Sequence, residues 1–175
     1  MDDPRFPIGP FEAAASYDEV QIAAGIDRIA ACPTHLRAAV TGLTPAQLDT
    51  PYRDGGWTVR QVVHHLPESH MNSYTRIKLA LTEDEPTIRP YDEAAWGELA
   101  DARSGEIEPS LRLLEALHAR WVPVLRALGP AQLARRFHHP ELEGALDLAT
   151  QVALYAWHGD HHVAHVTRLR ERNGW

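Results

Sequence analysis

The sequence is poor in cysteine, in long apolar runs and in basic charge. Its one cysteine, Cys32, cannot close an internal disulfide, so a reducing, cytoplasmic compartment is expected. No run of about 18 apolar residues occurs, which argues against a transmembrane helix and a membrane partner. Met1 to Pro10 carries Asp2, Asp3, Pro4 and Pro7 ahead of any apolar stretch, which is not the pattern of a secretory signal. Acidic residues outnumber basic ones by 24 to 17, for a formal net charge of −7. A surface of that sign repels phosphate backbones, and no basic patch interleaved with aromatics appears, so nucleic acid is not an expected partner.

What the chain does have is apolar patterning and histidine. Its 175 residues are 44% hydrophobic, enough for one compact domain spanning 1–175. No internal repeat, low-complexity tract or linker interrupts it. Four long helical segments can be read from i, i+3, i+4 spacing. The first runs from about Tyr17 to Gly42, with Ser16 and Glu19 as an S-x-x-E capping box and Pro33 as a kink or interruption. The second runs from about Thr58 to Thr82 after the Asp54-Gly55-Gly56 turn, capped by Thr58 and Gln61. A long crossover with a short helix near Asp92 to Leu99 leads to a third, from about Pro109 to Leu128. A small hairpin near Phe137 to Ala145 precedes the fourth, from about Leu146 to Arg172, which Asn173-Gly174 stops. These elements predict an all-α four-helix bundle.

Eleven histidines are the unusual count. The stretch Trp157-His158-Gly159-Asp160-His161-His162-Val163-Ala164-His165 offers two pairs four residues apart, the spacing at which helical side chains share a face. Helical phase separates them. With His158 at about 0°, His162 falls near +40°, His165 near −20° and His161 near −60°, while Leu148, Val152, Tyr155 and Val166 fall at about +60° to +120°. His158 and His162 are therefore the inner pair, and His161 and His165 are expected toward the rim. Two ligands seldom suffice for a stable site. On the second helix His65 shares a polar flank with Ser69, Asn72 and Arg76 beside the apolar stripe, which makes it the best third ligand. The zincin motif is absent, because Gly159 stands where that motif places glutamate. His35, His118, His138 and His139 are expected as surface or packing residues. Trp57 and Trp157 are expected to border the site, and Cys32 to be a buried, inert thiol.

Trp57-Thr58-Val59-Arg60-Gln61-Val62-Val63-His64-His65-Leu66 resembles the opening of the second helix in the DinB superfamily, where a metal-binding histidine follows the tryptophan by eight residues. Tyr155-Ala156-Trp157-His158-Gly159-Asp160-His161-His162 resembles that family's last helix, whose ligand pair matches His158 and His162. Pro7-Ile8-Gly9-Pro10-Phe11-Glu12, Asp49-Thr50-Pro51-Tyr52-Arg53 and Ser69-His70-Met71-Asn72-Ser73-Tyr74 are similar to one branch, the YfiT-type metal-dependent hydrolases, which include bacillithiol transferases. The resemblance spans roughly residues 6 to 170. It implies an up-down-down-up bundle, one zinc or nickel ion per chain with zinc the first choice, and a homodimer. The branch usually reads Ala-Asp where this chain has Pro67-Glu68.

A three-histidine site with an open position is of the catalytic kind. A divalent ion there would acidify a water molecule for hydrolysis, with Glu68 or Asp160 as base or as orienter of an imidazole. It would equally hold a low-molecular-weight thiol as thiolate for transfer to an electrophile. A metal-binding or dimerising stress protein without turnover is the third expectation.

Overall fold

A computed structural model describes residues 3–175. Helix α1 (Glu19–Val40) begins at Asp18, not at the expected Ser16. The Asp18 side chain accepts from the Gln21 backbone N–H, and the Gln21 side chain accepts from the Asp18 N–H. The register of the box thus sits two residues later than Ser16 and Glu19 suggested, because aspartate competes well for the cap position. A short helix, α2 (Pro45–Leu48), leads to α3 (Val59–Thr82), which starts on the expected box of Thr58 and Gln61. The crossover carries α4 (Glu93–Gly97) and α5 (Ala100–Ser104). Helix α6 (Ile107–Arg126) and short α7 (Pro130–Leu133) precede a two-stranded antiparallel ribbon, β1 (Arg136–His138) and β2 (Ala145–Asp147). The last helix, α8 (Leu148–Asn173), is capped by Asp147 and stopped by Gly174 at φ +69°.

The contacts give the directions. Asp160 on α8 pairs with Arg28 on α1, and Arg170 reaches the Ala39 carbonyl, so α1 and α8 run parallel. His64 meets Ser110 and His70 meets His118, so α3 and α6 also run parallel. Arg37 of α1 binds Glu108 and Arg126 binds Asp27, so α1 and α6 are antiparallel. The order is up-down-down-up, and the 83–106 crossover is what permits two consecutive long helices to point the same way.

Pro33 and Pro67 do not interrupt their helices; α1 and α3 continue through both. Each proline removes one N–H and leaves the carbonyl four residues earlier without its helical donor. For Pro33 that carbonyl belongs to Ile29, and the His118 ring Nδ1 supplies a donor at 2.7 Å.

The core divides into two apolar halves. One gathers Ile22, Ile26, Ile77, Trp121 and Val152; the other gathers Leu36, Val62, Leu66, Leu114 and Val166. Between them, at mid-height, lies a belt of buried histidines. Helices α1 and α8 approach closely there because Gly159 has no side chain. A Cβ at that position would lie 2.9 Å from Cys32 Sγ and 3.3 Å from its Cβ. Gly159→Ala is expected to destabilise by about 1–3 kcal/mol through overpacking. Adding Cys32→Ala should recover part of the loss, and thermal unfolding of the two variants measures both.

Candidate metal centre

His65 enters from α3, and His158 and His162 enter from α8 one turn apart. The His65 and His158 Nε2 atoms lie 3.3 Å apart. All three side chains offer a ring nitrogen within 4.8 Å of the others. Two nitrogens sharing a tetrahedral zinc ion at about 2.0–2.1 Å each stand about 3.3 Å apart, so this spacing fits the expected ion. The Nδ1 atoms of His65 and His162 are buried without a hydrogen-bond partner. Burial holds all three imidazoles neutral: His65 is pushed down to about 4, and His158 and His162 fall well below the ordinary histidine value, each further lowered by neighbouring histidines. Neutral imidazole is the form that binds metal.

Two clefts meet at His158. One, of about 400 Å³, is walled by His65, His158, His162, Trp57, Trp157 and Arg53. The other, of about 500 Å³, is walled by His158, Ser69, Tyr155, Tyr91 and Arg76. Trp57 packs on His65 with ring centres 4.7 Å apart. Ser69 Oγ lies 3.4 Å from His158 Nε2 and 3.2 Å from the Tyr155 hydroxyl. The polar flank of α3 thus lines a cavity through Ser69 and Arg76, while Asn72 donates instead to the Glu68 carbonyl.

The two carboxylates named as bases are not brought to the histidines. Asp160 faces α1, where Arg28 binds it at 2.7 Å. Glu68 is half-buried, its carboxyl raised by burial and by Asp101, and it lines neither cleft. The carboxylate that lines both is the exposed Glu93 in the first turn of α4. Burial, then Glu141 and Asp92, raise its carboxyl above the ordinary value. No sequence signal placed it there, because the crossover has no periodicity to fix its phase.

The rim expectation for His161 and His165 is also corrected. Both are buried, at 7% and 3% exposure. Phase measures a helix against its bundle only, and this flank is covered from outside it. Tyr52 stacks on His165 at 3.9 Å, Trp157 stacks on His161 at 4.3 Å, and His165 Nε2 donates to the Arg5 carbonyl. His118, placed among surface or packing residues, is buried between α1 and α3. Cys32 is a buried thiol pushed up to about 12 by burial and then Asp160, so it is no nucleophile; its neighbours include His70 and His118.

A family model described as the DinB superfamily matches residues 28–166. The chain belongs to the DinB superfamily. Within it, the chain is 50% identical over 170 residues to the protein named "Putative metal-dependent hydrolase YfiT" from Bacillus subtilis strain 168, covering 97% of this chain and 96% of that one. A relative with the same description from Bacillus mycoides strain KBAB4 is 52% identical over the full length of both. The solved YfiT structure, described as a probable metal-dependent hydrolase with an unusual four-helix bundle topology, superposes with a TM-score of 0.96 at 49% identity and covers 98% of each chain. TT2238, a four-helix bundle protein, shares the fold at a TM-score of 0.56 and 21% identity, over 81% of this chain and 94% of that one. Among the described residues of this DinB-superfamily chain, no helix is long and apolar enough to cross a membrane.

Proposed function

We propose that this chain is a metal-dependent hydrolase of small molecules, holding one divalent cation, zinc ahead of nickel, through His65, His158 and His162. The approach of the His65 and His158 Nε2 atoms to 3.3 Å, where two clefts meet, carries the reading. A closed structural site would supply a fourth protein ligand; three imidazoles leave room for solvent or substrate. When bound, the cation supplies a Lewis acid that acidifies a water molecule or polarises a carbonyl at neutral pH. The chain's own residues do the rest. Glu93, at the mouth of both clefts, takes the proton of the attacking water and returns it to the leaving group; its raised carboxyl suits both transfers. The Ser69 hydroxyl offers a donor on the cleft wall for a substrate oxygen as it gains charge, and the Tyr155 hydroxyl, which donates to the Ser69 carbonyl, holds that residue in place. Arg76 gives the larger cleft a cation against which an acidic substrate group can rest.

Metal-loaded protein tested on ester and amide panels without thiol checks this reading. Metal-dependent turnover supports it. Turnover only with a low-molecular-weight thiol and a monochlorobimane-type electrophile supports S-transfer instead. Tight metal binding with neither activity supports the non-catalytic reading. Glu93→Gln is expected to lower kcat by about 10²–10⁴-fold while leaving metal content unchanged. The homodimer implied by the branch belongs to the same proposal, and analytical ultracentrifugation of the loaded protein tests it.

A further inference from the structure

His70 and His118 lie behind the ligands and touch neither cleft. They form a continuous line of ring-to-ring hydrogen bonds. His158 Nδ1 lies 3.2 Å from His70 Nε2, His70 Nδ1 lies 2.8 Å from His118 Nε2, and His118 Nδ1 lies 2.7 Å from the Ile29 carbonyl oxygen. His70 and His118 are 0% and 3% exposed.

The polarity of this line is fixed at one end. A carbonyl oxygen only accepts, so His118 Nδ1 must donate. A neutral imidazole has one donor and one acceptor, so His118 Nε2 accepts, and His70 Nδ1 donates to it. By the same rule His70 Nε2 accepts, and His158 Nδ1 donates. The His158 Nε2 is left as the accepting lone pair, and this is the atom that faces His65 Nε2 at 3.3 Å and Ser69 Oγ at 3.4 Å. Burial keeps His118, pushed down to about 4, and His70, held well below the ordinary histidine value, in the neutral form that the chain of donors requires. The end acceptor is available because Pro33 has no N–H to occupy the Ile29 carbonyl.

We propose that His70 and His118 are positioning residues: a buried relay, anchored at the carbonyl released by Pro33, locks His158 in the tautomer that presents Nε2 to the cation. This rests on the three-histidine reading of the metal centre. The competing use of the same cluster is a second metal site, since Cys32, His70 and His118 each offer an atom within 4.8 Å of the others. Both nitrogens of His70 and of His118 are already committed to hydrogen bonds, and a cation there would have to break the 2.8 Å bond between them. Partners of this kind orient metal-bound imidazoles, and removing one typically weakens metal affinity about 10–100-fold.

Nitrogen NMR of the metal-free, full-length protein at neutral pH is the first test, and it needs no variant. His118, His70 and His158 are each expected to carry the proton on Nδ1; a proton on His158 Nε2 overturns the proposal. In the second test, His118→Phe removes the acceptor of the His70 Nδ1–H. The His158 resonances should then report a mixture of tautomers, and zinc affinity by competition with a chelator should fall about 10–100-fold. His118→Gln, whose amide can both accept and donate, should recover part of that loss. Unchanged His158 tautomer and unchanged zinc affinity in His118→Phe would overturn the relay even if the variant is less stable. Absence of zinc binding by the unsubstituted protein would instead count against the three-histidine centre, and the tautomer measurement still decides the relay.

Discussion

Alanine at His158 is expected to strip the protein of stoichiometric metal after dialysis at neutral pH, as is alanine at His65 or His162. His161→Ala and His165→Ala are expected to keep it. The contrast discriminates because His161, His162 and His165 also offer nitrogens within 4.8 Å of one another. In that outer group, His165 Nε2 is engaged by the Arg5 carbonyl, and the rings of His161 and His165 are stacked under Trp157 and Tyr52. Elemental analysis reads the metal directly. Thermal unfolding gives a second measure. Zinc at a hundred times its dissociation constant stabilises a folded site by about 2.7 kcal/mol. At about 2–4 °C per kcal/mol for a domain of this size, the melting temperature should rise by roughly 5–11 °C. The rise should vanish in the three ligand variants and persist in the two outer ones. Metal lost from His165→Ala and kept in His65→Ala would move the ion to the outer group.

The metal-free protein should unfold in mild acid. His65, His118, His161 and His165 are each pushed down to about 4, and His70, His158 and His162 well below the ordinary value, all chiefly by burial. These groups are neutral in the fold and free to protonate once unfolded. The unfolded chain therefore binds more protons as pH drops below about 6.5, and their contribution to stability, complete above that value, is lost toward the folded values near 4 and lower. Each such group lowers stability as the pH falls through that window. Seven such groups in contact all act in the same direction, against a typical domain stability of only about 5–15 kcal/mol. Helical circular dichroism in the presence of a chelator should collapse as the pH falls from about 6.5 toward 4. Saturating zinc should move the midpoint downward, because the cation binds only the neutral imidazoles. A midpoint below about pH 4.5 without metal would show that the belt is not held neutral as a group.

Most of the bundle could be read from the chain because apolar spacing and caps act locally. Thr58 with Gln61 marked the start of α3 to the residue, and the Asn173-Gly174 stop held. The cap at Ser16 failed because Asp18, two residues on, offers the same chemistry in better register. Helix directions are not written in periodicity at all; the down-down pair followed from family resemblance. The phase of α8 singled out His158 and His162, which the fold sets beside His65. Phase could not reveal the burial of His161 and His165, which depends on Phe6 and Tyr52 packing from distant parts of the chain. Nor could it join His70 and His118, which lie on different helices and meet only because α3 and α6 run side by side. Glu93 was missed for a related reason, since an irregular segment has no repeating geometry from which to infer its neighbours.

The long helices supply the candidate metal ligands His65, His158 and His162, whereas the 83–106 crossover supplies Tyr91, Glu93 and Ala94 to the chambers beside them. The candidate cation ligands and the walls that meet a reactant are thereby lodged in separate stretches of polypeptide. Exchanges confined to that strap can redraw what is admitted without disturbing the imidazole scaffold beneath, which equips one architecture to serve many reactants.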